Sequence, residues 1–128
     1  MPPPMPRNEV ASDRFDVEQG RRLLRSYDFA MSRRDVRTLS SLDPQIANFI
    51  NAELAESRRE GRFDRGRERR EERTATRQLT NLQSKLNRLY GRYDVRSVNE
   101  KRRLLSDAIE IAQRDLRGGR ADNRFARR

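Results

Sequence analysis

Apolar residues recur along this chain at helical intervals. Leu79, Leu82, Leu86, Leu89 and Tyr93 follow one another at spacings of three and four, which places them in one seam along a helix. Gly91 sits where a left-handed C-cap would close that helix. Ser97-Val98-Asn99-Glu100 has the form of a capping box and predicts the start of the next helix. Its apolar stripe is Val98, Leu105, Ala108, Ile109, Ala112 and Leu116, with Gly118-Gly119 as the stop. The pattern predicts an antiparallel helical hairpin over about 67–117. Leu104 and Ile111 widen the second stripe to roughly 160°, more than a two-helix seam covers. The extra face calls for a third helix, from the 16–33 segment or from another subunit.

Upstream, two more amphipathic helices are expected. Asp13 or Asp16 starts the first, with Val17, Gly20, Leu23, Leu24, Tyr27, Ala30 and Met31 on one side and Phe29 pointing away. Arg34 to Leu42 reads as a connection. Asp43-Pro44 then has the form of a helix start, an acidic N-cap followed by proline at the first helical position. Ile46, Phe49, Ile50 and Leu54 give that helix its stripe, through about Ser57.

Arg58 to Arg77 has one large apolar residue, Phe63. With no stripe to bury, packing cannot hold it. Pairs such as Glu56–Arg59 and Asp64–Arg67 support a solvated helix, whereas Gly61 and Gly66 each cost a helix about 1 kcal/mol. The Arg67–Arg77 side reads as helix running into the Leu79 seam. Were both halves helical, Pro44 to Tyr90 would form one rod of roughly 70 Å at 1.5 Å per residue.

The expected fold is all-α: the hairpin, the two preceding helices, an extended N-terminal arm and a basic C-terminal tail. In segments, 1–12 is a proline-rich flexible arm, 13–57 holds two amphipathic helices, and 58–78 is a charged rod or linker. The leucine-seam hairpin occupies 79–117 and an arginine-rich tail 118–128. Met1-Pro2-Pro3-Pro4-Met5-Pro6 reads as polyproline-like rather than helical. No internal repeat is visible at periods of 20–50 residues.

Charge sharpens this picture. The net charge is +10, with 39% of the 128 residues charged and 33% hydrophobic, too polar for a thick core but enough to face a few helices together. Counted by segment, residues 1–55 are neutral (eight Arg, eight acids) and 56–78 carry +3 (nine Arg, six acids). Residues 79–128 carry +7, from eleven Arg, two Lys and six acids. A polyanion is therefore drawn to the hairpin and its tail. Only Lys85 and Lys101 are lysines. Arginine forks grip phosphate through two bonds and stack on bases, although a GC-rich genome would also favour arginine codons.

The common catalytic schemes are missing their parts. His and Cys are absent, which removes the usual general base, the Ser-His-Asp relay, thiol nucleophiles and the zinc sites built from these ligands. No phosphate-cradling glycine loop occurs, and the carboxylates alternate with Arg, which lowers their pKa in the wrong direction for a general acid. No enzyme activity, cofactor, metal or small-molecule substrate is expected. No run of about 18–20 apolar residues is present, so no membrane partner is expected either, and the chain reads as soluble, intracellular or inside a virion.

The candidate nucleic-acid-binding residues are Arg102, Arg103, Arg114 and Arg117 on the last helix, with Arg120, Arg124, Phe125, Arg127 and Arg128 beyond it. The guanidinium groups would release counterions from phosphates, and Phe125 would stack on a base. The candidate interface residues are Leu79, Leu82, Leu86, Leu89, Tyr93, Leu104 and Ile111, which either close the chain's own core or form a coiled coil with another subunit, including a second copy. The function expected is a non-enzymatic, arginine-rich structural protein of an RNA- or DNA-containing assembly. The alternative is a helical adaptor or capsid-assembly scaffold acting through coiled-coil contacts without nucleic acid.

Overall fold

A computed structural model describes the backbone of residues 5–61 and 67–126 and the side chains of residues 16–59 and 74–114. Its described residues form four helices: α1 (Met5–Ser32), α2 (Val36–Gly61), α3 (Arg67–Leu89) and α4 (Val95–Ala126). The fold is all-α. The most extensive packings are α2 on α3 and α1 on α4. The broad stripe of α4 is thus covered by α1.

One core joins all four helices. Leu23, Tyr27, Ile46, Ile50, Leu79, Leu86, Leu105 and Ala108 are buried in it, with Leu24, Met31, Ala47 and Tyr93 packed at its margin. Gly20 marks the closest approach of three helices. A Cβ there would lie 2.8 Å from the Phe49 ring and 2.9 Å from Ile109, so only glycine lets α2 and α4 close on α1 at this level.

Both tight turns follow from cap chemistry. At the end of α1, the Asp35 amide donates to the Ala30 carbonyl (3.0 Å) and the Arg34 amide to Met31 (3.1 Å), a Schellman arrangement with Arg34 in the left-handed position at φ 53°. Asp35 then caps α2. It accepts from the Thr38 amide (3.2 Å) and hydroxyl (2.6 Å). At the other turn Gly91 holds φ 80°, as its place in the sequence predicts. Asp94 caps α4, accepting from the Ser97 amide (3.2 Å) and hydroxyl (2.7 Å).

Several boundaries differ from the sequence reading. The cap of α4 is Asp94, three residues before Ser97, and Glu100 faces Arg96 instead (3.6 Å). The segment 34–42 is mostly helix, because starting α2 at Val36 buries Leu39 and Leu42. Pro44 lies inside that helix, and Asp43 is fully buried rather than a cap. From Met5 onward the expected arm belongs to α1, where Pro6 sits in the first turn and has no helical amide bond to lose; residues 1–4 lie outside the described residues. Gly118-Gly119 does not stop α4; glycine lowers helix propensity without forcing a break. The continuous rod does not form. α2 and α3 fold back on each other, with the Ser57 and Thr76 hydroxyls 2.7 Å apart and Gln83 bonded to Asn51. A rod would have left both apolar stripes in water. Residues 62–66, with Phe63, lie outside the described residues.

The two halves of the bundle repeat. Asp35-Val36-Arg37-Thr38 and Asp94-Val95-Arg96-Ser97 are the same cap, 59 positions apart (94 less 35). That shift carries Leu23 onto Leu82, Tyr27 onto Leu86, Leu39 onto Val98, Ile46 onto Leu105 and Ile50 onto Ile109, all buried. It also exchanges the α2–α3 packing with the α1–α4 packing, as a twofold-related pair of hairpins would. A 59-residue period lies beyond the range in which the sequence reading found none.

Candidate nucleic-acid interface

Of the basic residues singled out on α4, three have described side chains. Arg102 reaches across to α1, where its Nε and Nη2 both donate to the Asp28 carboxylate, the second at 3.2 Å. This two-pronged pairing raises the Arg102 pKa further, through the bonds first and the Asp28 charge second. Arg114 donates to Glu110 one turn back at 3.0 Å, both side chains more than half exposed; such a pair contributes about 0.3–0.5 kcal/mol. Arg103 is exposed. A phosphate approaching this face meets Arg103 directly and exchanges with a carboxylate at Arg102 and Arg114. The backbone of α4 carries Arg117, Arg120, Arg124 and Phe125 onward to Ala126, with side chains outside the described residues. Arg127 and Arg128 lie outside them altogether.

The candidate interface residues are placed within the chain's own core. Leu79, Leu82, Leu86, Leu104 and Ile111 are buried, and Leu89 and Tyr93 are partly buried. The seam of α3 is covered chiefly by α2 and to a lesser extent by α4.

A buried polar cluster was missed by sequence reasoning. Lys101 and Asp43 are both at 0% exposure, with Nζ 2.9 Å from Oδ2. Lys101 also donates to the Arg92 carbonyl (2.7 Å) and lies 4.4 Å over the Tyr93 ring. The Tyr93 hydroxyl donates to the same Asp43 oxygen at 3.1 Å, and Asp43 Oδ1 has no hydrogen-bond partner. Beside them the buried Tyr27 hydroxyl donates to the Val98 carbonyl (3.2 Å). Burial, then the Asp43 charge, push the Tyr27 pKa upward. Both charged groups are fully enclosed, and the cluster ties α2 and α4 to the turn between α3 and α4.

A second polar group also escaped the sequence reading. Asp16 of α1 and Glu53 and Glu56 of α2 bring carboxylate oxygens within 4.8 Å of one another. Each of these acids already interacts with another group, so acidity alone does not make the cluster a cation site. Among the described residues no helix is long and apolar enough to cross a membrane.

No protein-family model matches this chain, and no curated protein and no solved structure shows a significant similarity to it. Functional inference therefore rests on the chain's own chemistry.

Proposed function

We propose that this chain is a non-enzymatic, arginine-rich helical structural protein of a larger nucleic-acid-containing assembly, a ribonucleoprotein or a virion interior, and that it contacts phosphates through its basic C-terminal region. The observation that carries this reading is the charge imbalance, +7 over residues 79–128 against zero over residues 1–55. Counterion release from phosphates gives such an imbalance a large, sequence-independent affinity for polyanions. The helical course of α4 to Ala126 supports it, since it carries the basic stretch well past Ala112, the last core residue described.

The adaptor reading keeps one supporting observation, the run of mixed charges over residues 56–77. It loses weight because Leu79, Leu82 and Leu86, its best coiled-coil seam, are buried inside the monomer.

Salt titration of binding tests the proposal. The full chain should bind a labelled oligonucleotide with a log–log salt slope near −0.9 per phosphate contact on duplex and −0.7 on single strands. Changing Arg117, Arg120, Arg124, Arg127 and Arg128 together to Gln should flatten the slope by about 3.5 on single strands, if each arginine makes one contact. An unchanged slope removes the C-terminal region from the argument. A full chain that sediments as an oligomer and ignores nucleic acid at low salt favours the adaptor.

A further inference from the structure

The bundle has a second basic surface, at the end opposite the Asp16–Glu53–Glu56 cluster. Tyr93 and Lys101 bond to Asp43, and Arg102 bonds to Asp28. These contacts bring the α1–α2 turn and the α3–α4 turn to one end of the molecule. Arg33, Arg34, Arg37 and Arg92 are exposed there, beside Phe29 at 59% exposure and Tyr90 at 49%. The acids of the two turns, Asp35 and Asp94, direct their oxygens into the caps of α2 and α4.

Two details mark this end as more than a solvated turn. Arg33 lies over the Phe29 ring, 4.4 Å from its centroid, so one face of this exposed ring already carries a stacked cation. Arg34 occupies the left-handed position at φ 53°, which favours glycine and which Gly91 fills in the other turn. The chain thus keeps a guanidinium at a position where its backbone is strained, a pattern met at functional sites.

We propose that this turn end is a contact surface for single-stranded nucleic acid, with Arg33, Arg34 and Arg92 on the phosphates and the Phe29 and Tyr90 rings stacked on bases. The inference rests on the nucleic-acid reading above and adds a site to it. Exposed rings between arginines fit unpaired bases, which have free faces, better than duplex bases already stacked. The shared positive sign opposes a second copy of the same end.

The test uses the full-length chain and a fluorescein-labelled oligothymidylate of about twenty nucleotides, long enough for a multi-contact site, with a mixed-sequence duplex of equal length. Anisotropy is followed across a salt series. Changing Arg33, Arg34 and Arg92 to Gln should reduce the slope on the single strand by about 2, at roughly 0.7 per lost contact. The corresponding Lys variant should keep the slope. Phe29→Ala with Tyr90→Ala should weaken single-strand binding at fixed salt by about 5- to 150-fold per ring while leaving the slope and duplex binding unchanged. If both sets bind like wild type while the Arg117–Arg128 glutamine variant loses affinity, the turn end is overturned and the proposed function stands. A wild-type chain with no salt-dependent binding overturns both. Equal losses on duplex and single strand overturn the stacking, and displacement of the oligonucleotide by polyglutamate at equal charge reassigns the surface to acidic protein segments.

Discussion

Replacing Lys101 by Met leaves the buried Asp43 carboxylate without its counter-ion, and the structure gives the size of the effect. At 2.9 Å and an effective dielectric of 20, the attraction is worth about 6 kcal/mol. Enclosing the two ions costs several kcal/mol each, so the pair adds little net stability over a well-packed apolar pair. Removing one member is different. Asp43 keeps only the Tyr93 hydroxyl at 3.1 Å, its Oδ1 already lacks a partner, and the Arg92 carbonyl loses its donor. The expected loss is about 3–5 kcal/mol, a large share of the roughly 5–15 kcal/mol a domain has in total. Asp43→Val combined with Lys101→Met should recover most of it, falling within about 2 kcal/mol of wild type. Urea unfolding followed by far-ultraviolet circular dichroism measures all four proteins. A Lys101→Met loss below about 1 kcal/mol, or single losses that add to the double within about 0.5 kcal/mol, would refute the coupled buried pair.

Three further outcomes are expected. Gly20→Ala gains about 1 kcal/mol of helix propensity but presses on Phe49 and Ile109, an overpacking cost of about 1–3 kcal/mol; thermal melts should show net destabilisation, and a rise in Tm would contradict the packing. Arg34→Gly should stabilise by about 0.5–1 kcal/mol, because relief of roughly 1–2 kcal/mol at φ 53° exceeds the added entropy of glycine; denaturation midpoints decide the sign. Asp35 and Asp94 have pKa values lowered, chiefly by the Thr38 and Ser97 hydrogen bonds. Their contribution is therefore full above the ordinary aspartate value of about 3.9 and is lost as pH falls through the lowered values. Asn at both positions should keep neutral-pH stability, since Asn caps about as well as Asp, and should flatten the acid end of the stability curve.

The helices and most core residues were legible in the sequence because their stripes have a period that only a helix satisfies. Leu79, Leu82, Leu86, Leu105 and Ile109 needed nothing more than spacing. Asp43 was misplaced, and Lys101 passed over, for a physical reason. A charge is read as solvent-facing, and Asp43-Pro44 has the composition of a helix start. Yet Lys101 falls in the series 98, 101, 105, 108, 112 and Asp43 in the series 39, 43, 46, 50, both seam positions. Two opposite charges at seam positions of different helices signal a buried pair. The cap of α4 was misread because Ser97 and Glu100 imitate a capping box, whereas Asp94 bonds to the Ser97 amide. What distinguishes the two is the matching Asp35 cap, visible only when positions 59 apart are compared. In the charged stretch from Arg58 to Arg73 one apolar residue gives periodicity little to report, yet the helix expected from Arg67 is where α3 begins.

The repeat raises a pairing problem that charges in the core can solve. Two hairpins with the same burial register can in principle pair with copies of themselves as readily as with each other. Under the 59-residue shift Lys101 corresponds to Leu42, and Asp43 corresponds to Arg102. If the first hairpin paired with another first hairpin, Asp43 would face Leu42 and be buried without a counter-ion. If the second paired with another second, Lys101 would face Arg102, two like charges. Only the pairing of first with second brings Asp43 onto Lys101 and, one step outward, Asp28 onto Arg102. The penalty for either wrong pairing is of the order of the 3–5 kcal/mol for a broken buried pair. A pair that is nearly neutral for stability can therefore decide which hairpin meets which, as polar residues in repetitive helical cores do. By that logic the Asp43→Val, Lys101→Met protein, though stable, should lose this discrimination and form hairpin-exchanged dimers on refolding at high concentration. Sedimentation equilibrium measures this directly, and a double variant that refolds only as monomer at every concentration would show that the Asp43–Lys101 pair does not decide the pairing.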